Sequence, residues 1–182
     1  MTDKNMIDLL QECGAILFGR FMLTSGAISN YYIDIKKAST NPMVLKRIAE
    51  EMSKYTGGYD VLAGMELGAV PIVVALSLET NIPYVIIRKE KRQHGTAKQI
   101  EGSDVKNKRV LIVEDVTTSG GSLVKAIQIL REQQAQVDKA LVVVDRESGA
   151  YEKLLRLDVN LVPLLSISEI LRKTQKKNFR TG

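Results

Sequence analysis

Val110-Leu-Ile-Val-Glu114-Asp115-Val-Thr117-Thr118-Ser119-Gly120-Gly121-Ser122 is the stretch on which the architecture of this chain turns. Its first half is an unbroken apolar run. Such a run suits a strand covered on both faces, because a strand with one wet face alternates apolar with polar residues. Its second half supplies hydroxyls and glycines, which turn the chain, and leads into a helix predicted over 122–133. A buried strand, a tight turn and a helix are the repeating unit of a parallel sheet flanked by helices, so the expected class is α/β, doubly wound.

The same unit recurs on either side. Further strands are predicted at 61–65, 84–88, 109–113, 140–144 and 161–165, with helices at 71–79, around 151–157 and after Ser166. Ser166 and Glu169 have the spacing of a capping box. Upstream, Ile7, Leu10 and Cys13 predict a first helix that ends at about Cys13 before Gly14, and residues 31–36 alternate in strand fashion. Asn41-Pro42 is an N-cap followed by proline at the first helical position. The helix after it turns Leu45, Ile48, Ala49 and Met52 inward and is expected to end at Gly57-Gly58. No repeat or linker divides the 182 residues, which form a single expected domain.

Composition excludes several classes. At 45% hydrophobic and 26% charged residues the chain is neither disordered nor fibrous. Its apolar runs are too short to cross a membrane and residues 1–8 are too polar for a signal peptide, so a cytoplasmic protein without a membrane partner is expected. Cys13 is the only cysteine, which rules out an intrachain disulfide or a cysteine zinc cluster, and among Leu9, Leu10 and Ile16 it reads as a small apolar side chain. The net charge of +5 lies in the tail 172–182, where Arg172, Lys173, Lys176, Lys177 and Arg180 stand without an acid. A short basic end of this kind is a solvated feature, and nucleic acid is not the expected partner.

In a doubly wound sheet ligands bind beyond the carboxyl ends of the strands, which is where the polar half of the opening stretch lies. Gly120 and Gly121 let backbone N–H groups fold around an anion, Thr117, Thr118, Ser119 and Ser122 add donors, and the following helix presents its positive end. The result is a cradle for a phosphate monoester, with Val116 in its wall. Glu114 and Asp115 can accept hydrogen bonds from two vicinal hydroxyls and are candidates to hold Mg²⁺. A phosphate cradle beside a diol clamp fits a ribose 5-phosphate. The rival phosphate signature, a Walker A loop, is absent from the sequence. After the strand at 84–88 comes Arg88-Lys89-Glu90-Lys91-Arg92-Gln93-His94-Gly95-Thr96-Ala97-Lys98, with five Lys or Arg, one acid and no apolar face. On composition it reads as a mobile solvated loop, and its place at a strand end in a sheet with a phosphate cradle favours a functional loop over a bland charge run. Glu66-Leu67-Gly68-Ala69-Val70-Pro71 presents backbone N–H groups at another helix start.

The opening stretch resembles the phosphoribosyl pyrophosphate motif of type I phosphoribosyltransferases. Phe21-Met-Leu-Thr24-Ser25-Gly26-Ala-Ile-Ser29-Asn-Tyr31-Tyr32-Ile33-Asp34 is similar to the N-terminal hood of orotate phosphoribosyltransferases, and Val144-Asp145-Arg146-Glu147-Ser-Gly149 to their base-recognition segment. The three matches occur in order from about Phe18 to Gly149. The resemblance implies a hood over about residues 1–40, a core over about 41–170 and the basic tail 172–182. It implies transfer of the ribose 5-phosphate of phosphoribosyl pyrophosphate to orotate, giving orotidine 5′-monophosphate and pyrophosphate, with Mg²⁺ held mainly through the substrate. It assigns Arg88, Lys89, Arg92 and His94 to the pyrophosphate, residues 114–122 to the phosphoribosyl group, Thr118 and Arg146 to orotate, and catalysis to Lys89, Arg92, His94 and Asp115. It also implies a homodimer whose basic loop closes over the partner's site. Two alternatives stand beside this reading: a purine phosphoribosyltransferase, and a regulator that binds the sugar phosphate without turnover. The hood and Arg146 argue against the first, and the basic loop argues against the second. Thr24, Gly68 and Arg92 stand where many bacterial orotate enzymes have lysine.

Overall fold

In the computed structural model, residues 4–22, 28–90 and 98–178 are described, the last five as backbone. Helix α1 (Met6–Glu12) is capped by Asn5, whose side chain accepts from the Asp8 N–H. It precedes an antiparallel hairpin, β1 (Ile16–Met22) and β2 (Ile28–Ile33), within the segment 1–40 read as a hood. Of this pair the alternation at 31–36 predicted only a strand, and one displaced from β2. The chain leaves β2 at Asp34, whose carboxylate accepts the Lys37 N–H and opens α2 (Ile35–Ser39), so residues 35 and 36 are helical. A short acidic acceptor here outweighs the apolar alternation.

The Asn41 side chain accepts from both Met43 N–H and Val44 N–H to start α3 (Pro42–Ser53). Its buried face is Val44, Ile48, Ala49 and Met52, with Leu45 only partly buried. The helix ends at Ser53 rather than at Gly57-Gly58, because Ser53 Oγ donates to the Glu50 carbonyl and Thr56 Oγ1 to the Ser53 carbonyl, satisfying the last turn early.

The core elements are β3 (Val61–Met65), α4 (Val70–Thr80), β4 (Tyr84–Ile87), β5 (Ile100–Gly102), β6 (Val110–Thr117), α5 (Gly121–Glu132), β7 (Lys139–Asp145), α6 (Ala150–Leu155), β8 (Asn160–Ser166) and α7 (Ile167–Asn178). The sheet order is β5-β4-β3-β6-β7-β8, parallel except for the edge strand β5. Both faces are covered, as the strand pattern predicted. Leu62, Leu111 and Leu141 pack with α3 and α4, while Val61, Ala63, Val110, Ile112, Ala140 and Val142 pack with α5 and α6. Strand β6 runs four residues past the predicted end at Val113, carrying Glu114 and Asp115 inside the strand, because it pairs with β7 as far as Thr117 opposite Asp145.

The amino ends of the strands are fastened by polar side chains. The Tyr59 hydroxyl donates to Asp138 Oδ1 at 2.6 Å, and Arg109 donates to Asp138 Oδ2 at 3.1 Å. Burial, then the bond to Asp138, pushes the Tyr59 hydroxyl up to about 12, while that same bond holds the Asp138 carboxyl low. At the other end of the chain Ser166 and Glu169 form the expected capping box, each backbone N–H donating to the other's side chain at 2.8 and 3.3 Å. The basic tail begins inside α7, and Lys173 is docked rather than merely solvated: its Nζ lies 2.9 Å from Asp8 Oδ2 on α1. Among the described residues no helix is long and apolar enough to cross a membrane.

Candidate active site

The strands of the parallel sheet deliver their carboxyl ends to one rim, and two adjoining cavities lie there. The first, about 220 Å³, is lined by Glu114 and residues 116–123. Gly120 has φ 76° and stands at the N-cap of α5, where no side chain caps the helix. The first N–H groups of α5 are therefore without a side-chain cap, in the turn whose glycines and hydroxyls read as an anion cradle. Only glycine suits position 120, since a Cβ would also lie 3.1 Å from the Ala150 Cα.

The second cavity, about 280 Å³, shares Glu114, Val116 and Ser122 with the first and adds Lys36, Glu66, Leu67, Gly68, Lys89 and Asp115. The two acids between the cavities behave differently. Glu114 is buried, and its carboxyl is pushed up to about 8, first by burial and then by the hydrogen bond and negative charge of Asp115. The Asp115 N–H, donating to Glu114 Oε1 at 3.0 Å, and the nearby Lys89 charge pull the other way. Asp115 is half-buried, and its Oδ1 accepts the Val116 N–H at 2.9 Å.

The turn after β7 holds the third group of side chains. Thr117 pairs with Asp145, so Thr118 and Arg146 emerge next to one another from adjacent strand ends, and the Arg146 N–H donates to the Thr117 carbonyl at 2.9 Å. The Arg146 guanidinium lies 5.6 Å from the Tyr31 ring centroid of the hood, and its Nε is buried without a hydrogen-bond partner. The turn is held from behind. Asp145 Oδ1 accepts the Glu147 N–H, and the Glu147 carboxylate accepts both the N–H and the hydroxyl of Ser168. Burial pushes the Asp145 carboxyl up.

Lys89 thus joins the acids at the second cavity. Arg88 does not: its guanidinium reaches Glu101 on β5 at 3.7 Å, and its Nε is buried without a hydrogen-bond partner. Arg92 and His94 lie outside the described residues, as do Thr24 and the sequence between β1 and β2.

Residues 34–160 match the phosphoribosyl transferase domain family. The chain is 52% identical over 176 residues to an orotate phosphoribosyltransferase of Pyrococcus horikoshii, covering 94% of each protein. The chain belongs to the orotate phosphoribosyltransferase family. Among solved orotate phosphoribosyltransferases, that of Aeropyrum pernix is 34% identical with a TM-score of 0.85, covering 94% of this chain and 98% of the other. The Mycobacterium tuberculosis enzyme in complex with 5-phospho-α-D-ribosyl 1-diphosphate is 28% identical with a TM-score of 0.76, covering 91% and 98%. A UMP synthase of Leishmania donovani is 31% identical with a TM-score of 0.81; the match covers 95% of this chain but 38% of that one.

Within this orotate phosphoribosyltransferase fold the structure adds Lys36 to the second cavity, a residue that sequence reasoning passed over. A lysine at the end of an apparent strand reads as an ordinary exposed charge, and only the turn into α2 brings it to the rim. Gly68 is equally informative. A Cβ built there would lie 2.1 Å from Asp115 Oδ2, so any side chain at this place would displace the Asp115 carboxylate. Among the described residues no group of three or more His, Cys, Asp or Glu forms a metal cage. The residues that would suit a divalent cation are the acidic pair itself, whose buried member is raised first by burial and then by Asp115, a setting that added positive charge would relieve.

Proposed function

We propose that the chain transfers the ribose 5-phosphate of phosphoribosyl pyrophosphate to orotate, forming orotidine 5′-monophosphate and pyrophosphate in the de novo synthesis of UMP. The observation that carries this reading is the set of features gathered at the rim: an uncapped helix start in a glycine and hydroxyl turn, two strand-end acids, and beside the turn a guanidinium with a free buried Nε against Tyr31. That set suits a 5-phosphate, a ribose diol and an acidic planar base.

The 5-phosphate lies in the first cavity on the N–H groups at the start of α5 and the hydroxyls of Thr117, Thr118, Ser119 and Ser122. Glu114 and Asp115 accept the ribose hydroxyls, and Asp115 offsets positive charge that develops on the ring as the bond from C1 to oxygen loosens. The pyrophosphate takes the second cavity, facing Lys89 and the backbone after β3. Mg²⁺, held mainly by the substrate with the two acids beside it, supplies charge neutralisation when bound. Thr118 and Arg146 orient orotate, whose carboxylate and imide edge suit a fixed guanidinium. We assign Arg88, Arg92 and His94 to the leaving group as well, with His94 able to donate a proton to it. Arg88 must leave Glu101 to take part. Closure of the basic loop keeps water from the activated ribose. We assign a homodimer in which this loop serves the partner's site, and a cytoplasmic location in line with a chain whose one cysteine forms no intrachain disulfide.

The test is direct. Orotate absorbance should fall when the protein is given phosphoribosyl pyrophosphate and Mg²⁺, while adenine, hypoxanthine and uracil stay unconsumed. Comparable turnover of a purine base would reject the assignment of base, and no turnover of any base would reject the enzyme.

A further inference from the structure

Lys89 is fixed at the rim by its backbone rather than by its side chain. Its N–H donates to Glu66 Oε1 at 2.7 Å, across 23 residues, and its carbonyl accepts from Lys125 Nζ, across 36. The residue before it is pinned too: the Arg88 N–H donates to the Gln99 carbonyl at 2.9 Å and Gln99 Nε2 donates to the Arg88 carbonyl at 3.1 Å. Two charged side chains from separate elements thus grip the two ends of one residue. Glu66 belongs to the turn after β3 and itself lines the second cavity. Lys125 stands one turn into α5, the helix whose uncapped start forms the first cavity.

A lysine on an exposed face of a helix ordinarily seeks a carboxylate. Among the described residues Lys125 forms no salt bridge, and it spends its ammonium on a carbonyl of a neighbouring lysine instead. That choice adds a positive charge beside the rim where Lys89 lines the second cavity, a setting that favours an anion. We propose that Lys125, assisted by Glu66, is a positioning residue that sets the Lys89 ammonium over the pyrophosphate cavity and ties its placement to the helix that binds the 5-phosphate. The inference rests on the proposed assignment of the second cavity to pyrophosphate. It makes the two halves of one substrate interdependent: whatever shifts the start of α5 also shifts Lys89.

The test uses the full chain and two probes, inorganic pyrophosphate and ribose 5-phosphate, each with Mg²⁺, by calorimetry. Lys125→Met keeps the apolar stem and removes the donor. It should weaken pyrophosphate binding and lower kcat by about tenfold each, a size typical of misplacing one charged contact, while ribose 5-phosphate affinity and the thermal midpoint stay unchanged. Lys125→Arg, which still donates, should recover most of both. Glu66→Gln, which keeps an acceptor, should fall between wild type and Lys125→Met. Unchanged pyrophosphate affinity in Lys125→Met would overturn the proposal. So would equal weakening of both probes or a lowered midpoint, since either marks a merely structural role. If the wild-type chain binds pyrophosphate but does not consume orotate, the proposed reaction fails while the positioning result still stands or falls on its own binding data.

Discussion

Two acids that are neighbours in sequence, Glu114 and Asp115, do different work because one is buried and the other half-buried, a difference that single-residue chemistry does not disclose. The raised Glu114 carboxyl, at about 8 against an ordinary 4.5, has a measurable consequence for stability. Between these two values the folded chain keeps a proton that the unfolded chain has released, so raising the pH across this window favours unfolding. The stability it contributes is complete below about 4.5 and gone above about 8. The thermal midpoint of the ligand-free protein should therefore fall over that window by more in wild type than in Glu114→Gln. Parallel curves would show that Glu114 is ionised throughout. Gly68 supplies the second test at this scale. Gly68→Ala places a methyl where Asp115 Oδ2 now lies, 2.1 Å from the built Cβ, and forces the carboxylate aside. Turnover should drop by roughly a hundredfold, the usual cost of displacing a reacting group by about 1 Å, with little change in thermal midpoint because the site faces solvent. Unimpaired turnover would separate Asp115 from catalysis.

At the level of elements, local signals with a single physical cause were legible in the sequence. The Asn41-Pro42 start of α3 and the Ser166 and Glu169 box formed as read, because caps depend on residues three or four positions apart. Asn41→Ala, which leaves two N–H groups without their acceptor, should lower the thermal midpoint by about 2–4 °C for a chain of this size and leave kcat alone. A midpoint within error of wild type would mean that solvent replaces the cap at no cost. The strand at 61–65 was read to the residue, since both its faces are covered and every position is apolar or small. What escaped was set by pairing. β1 and β5 are partly exposed strands with weak patterns, β5 of only three residues, and they exist because β2 and β4 offer them partners. For the same reason β6 outran its apolar run: pairing with β7 carried it through two acids. The candidate site was legible where one segment contains it, as in the nest, and illegible where it is assembled. Lys36 reaches the rim from a helix that carries no motif, Lys125 stands beyond the motif that opens α5, and nothing local marks the grip of Glu66 on Lys89.

For the whole molecule, the sheet and its two packed faces account for a rigid frame, and the basic segment leaves and rejoins that frame at one place, where Arg88 and Gln99 exchange hydrogen bonds. The cations of residues 91–97 serve either their own chain or another, and a two-fold dimer is the commonest closed assembly in which each chain would lend them to the other. Complementation decides between these. Because Lys89 lines its own chain's cavity, the test pairs an Asp115→Asn chain with a chain in which only Arg92 and His94 are changed to alanine, and each should be inactive as pure dimers. Unfolded together in equal amounts and reassembled, they form mixed dimers in which, if the cations act across the interface, one site of the two combines an intact acid pair with intact cations. Random two-fold pairing makes half the dimers mixed, so about a quarter of all sites should regain activity. If the cations act within their own chain, every site in every dimer carries one defect and no activity returns. Mixed dimers shown by mass to have formed, yet inactive, would reject the shared site. Lys89, gripped by Glu66 and Lys125 of its own chain, serves its own rim, so adding Lys89→Ala to the chain that lacks Arg92 and His94 should abolish the recovered quarter.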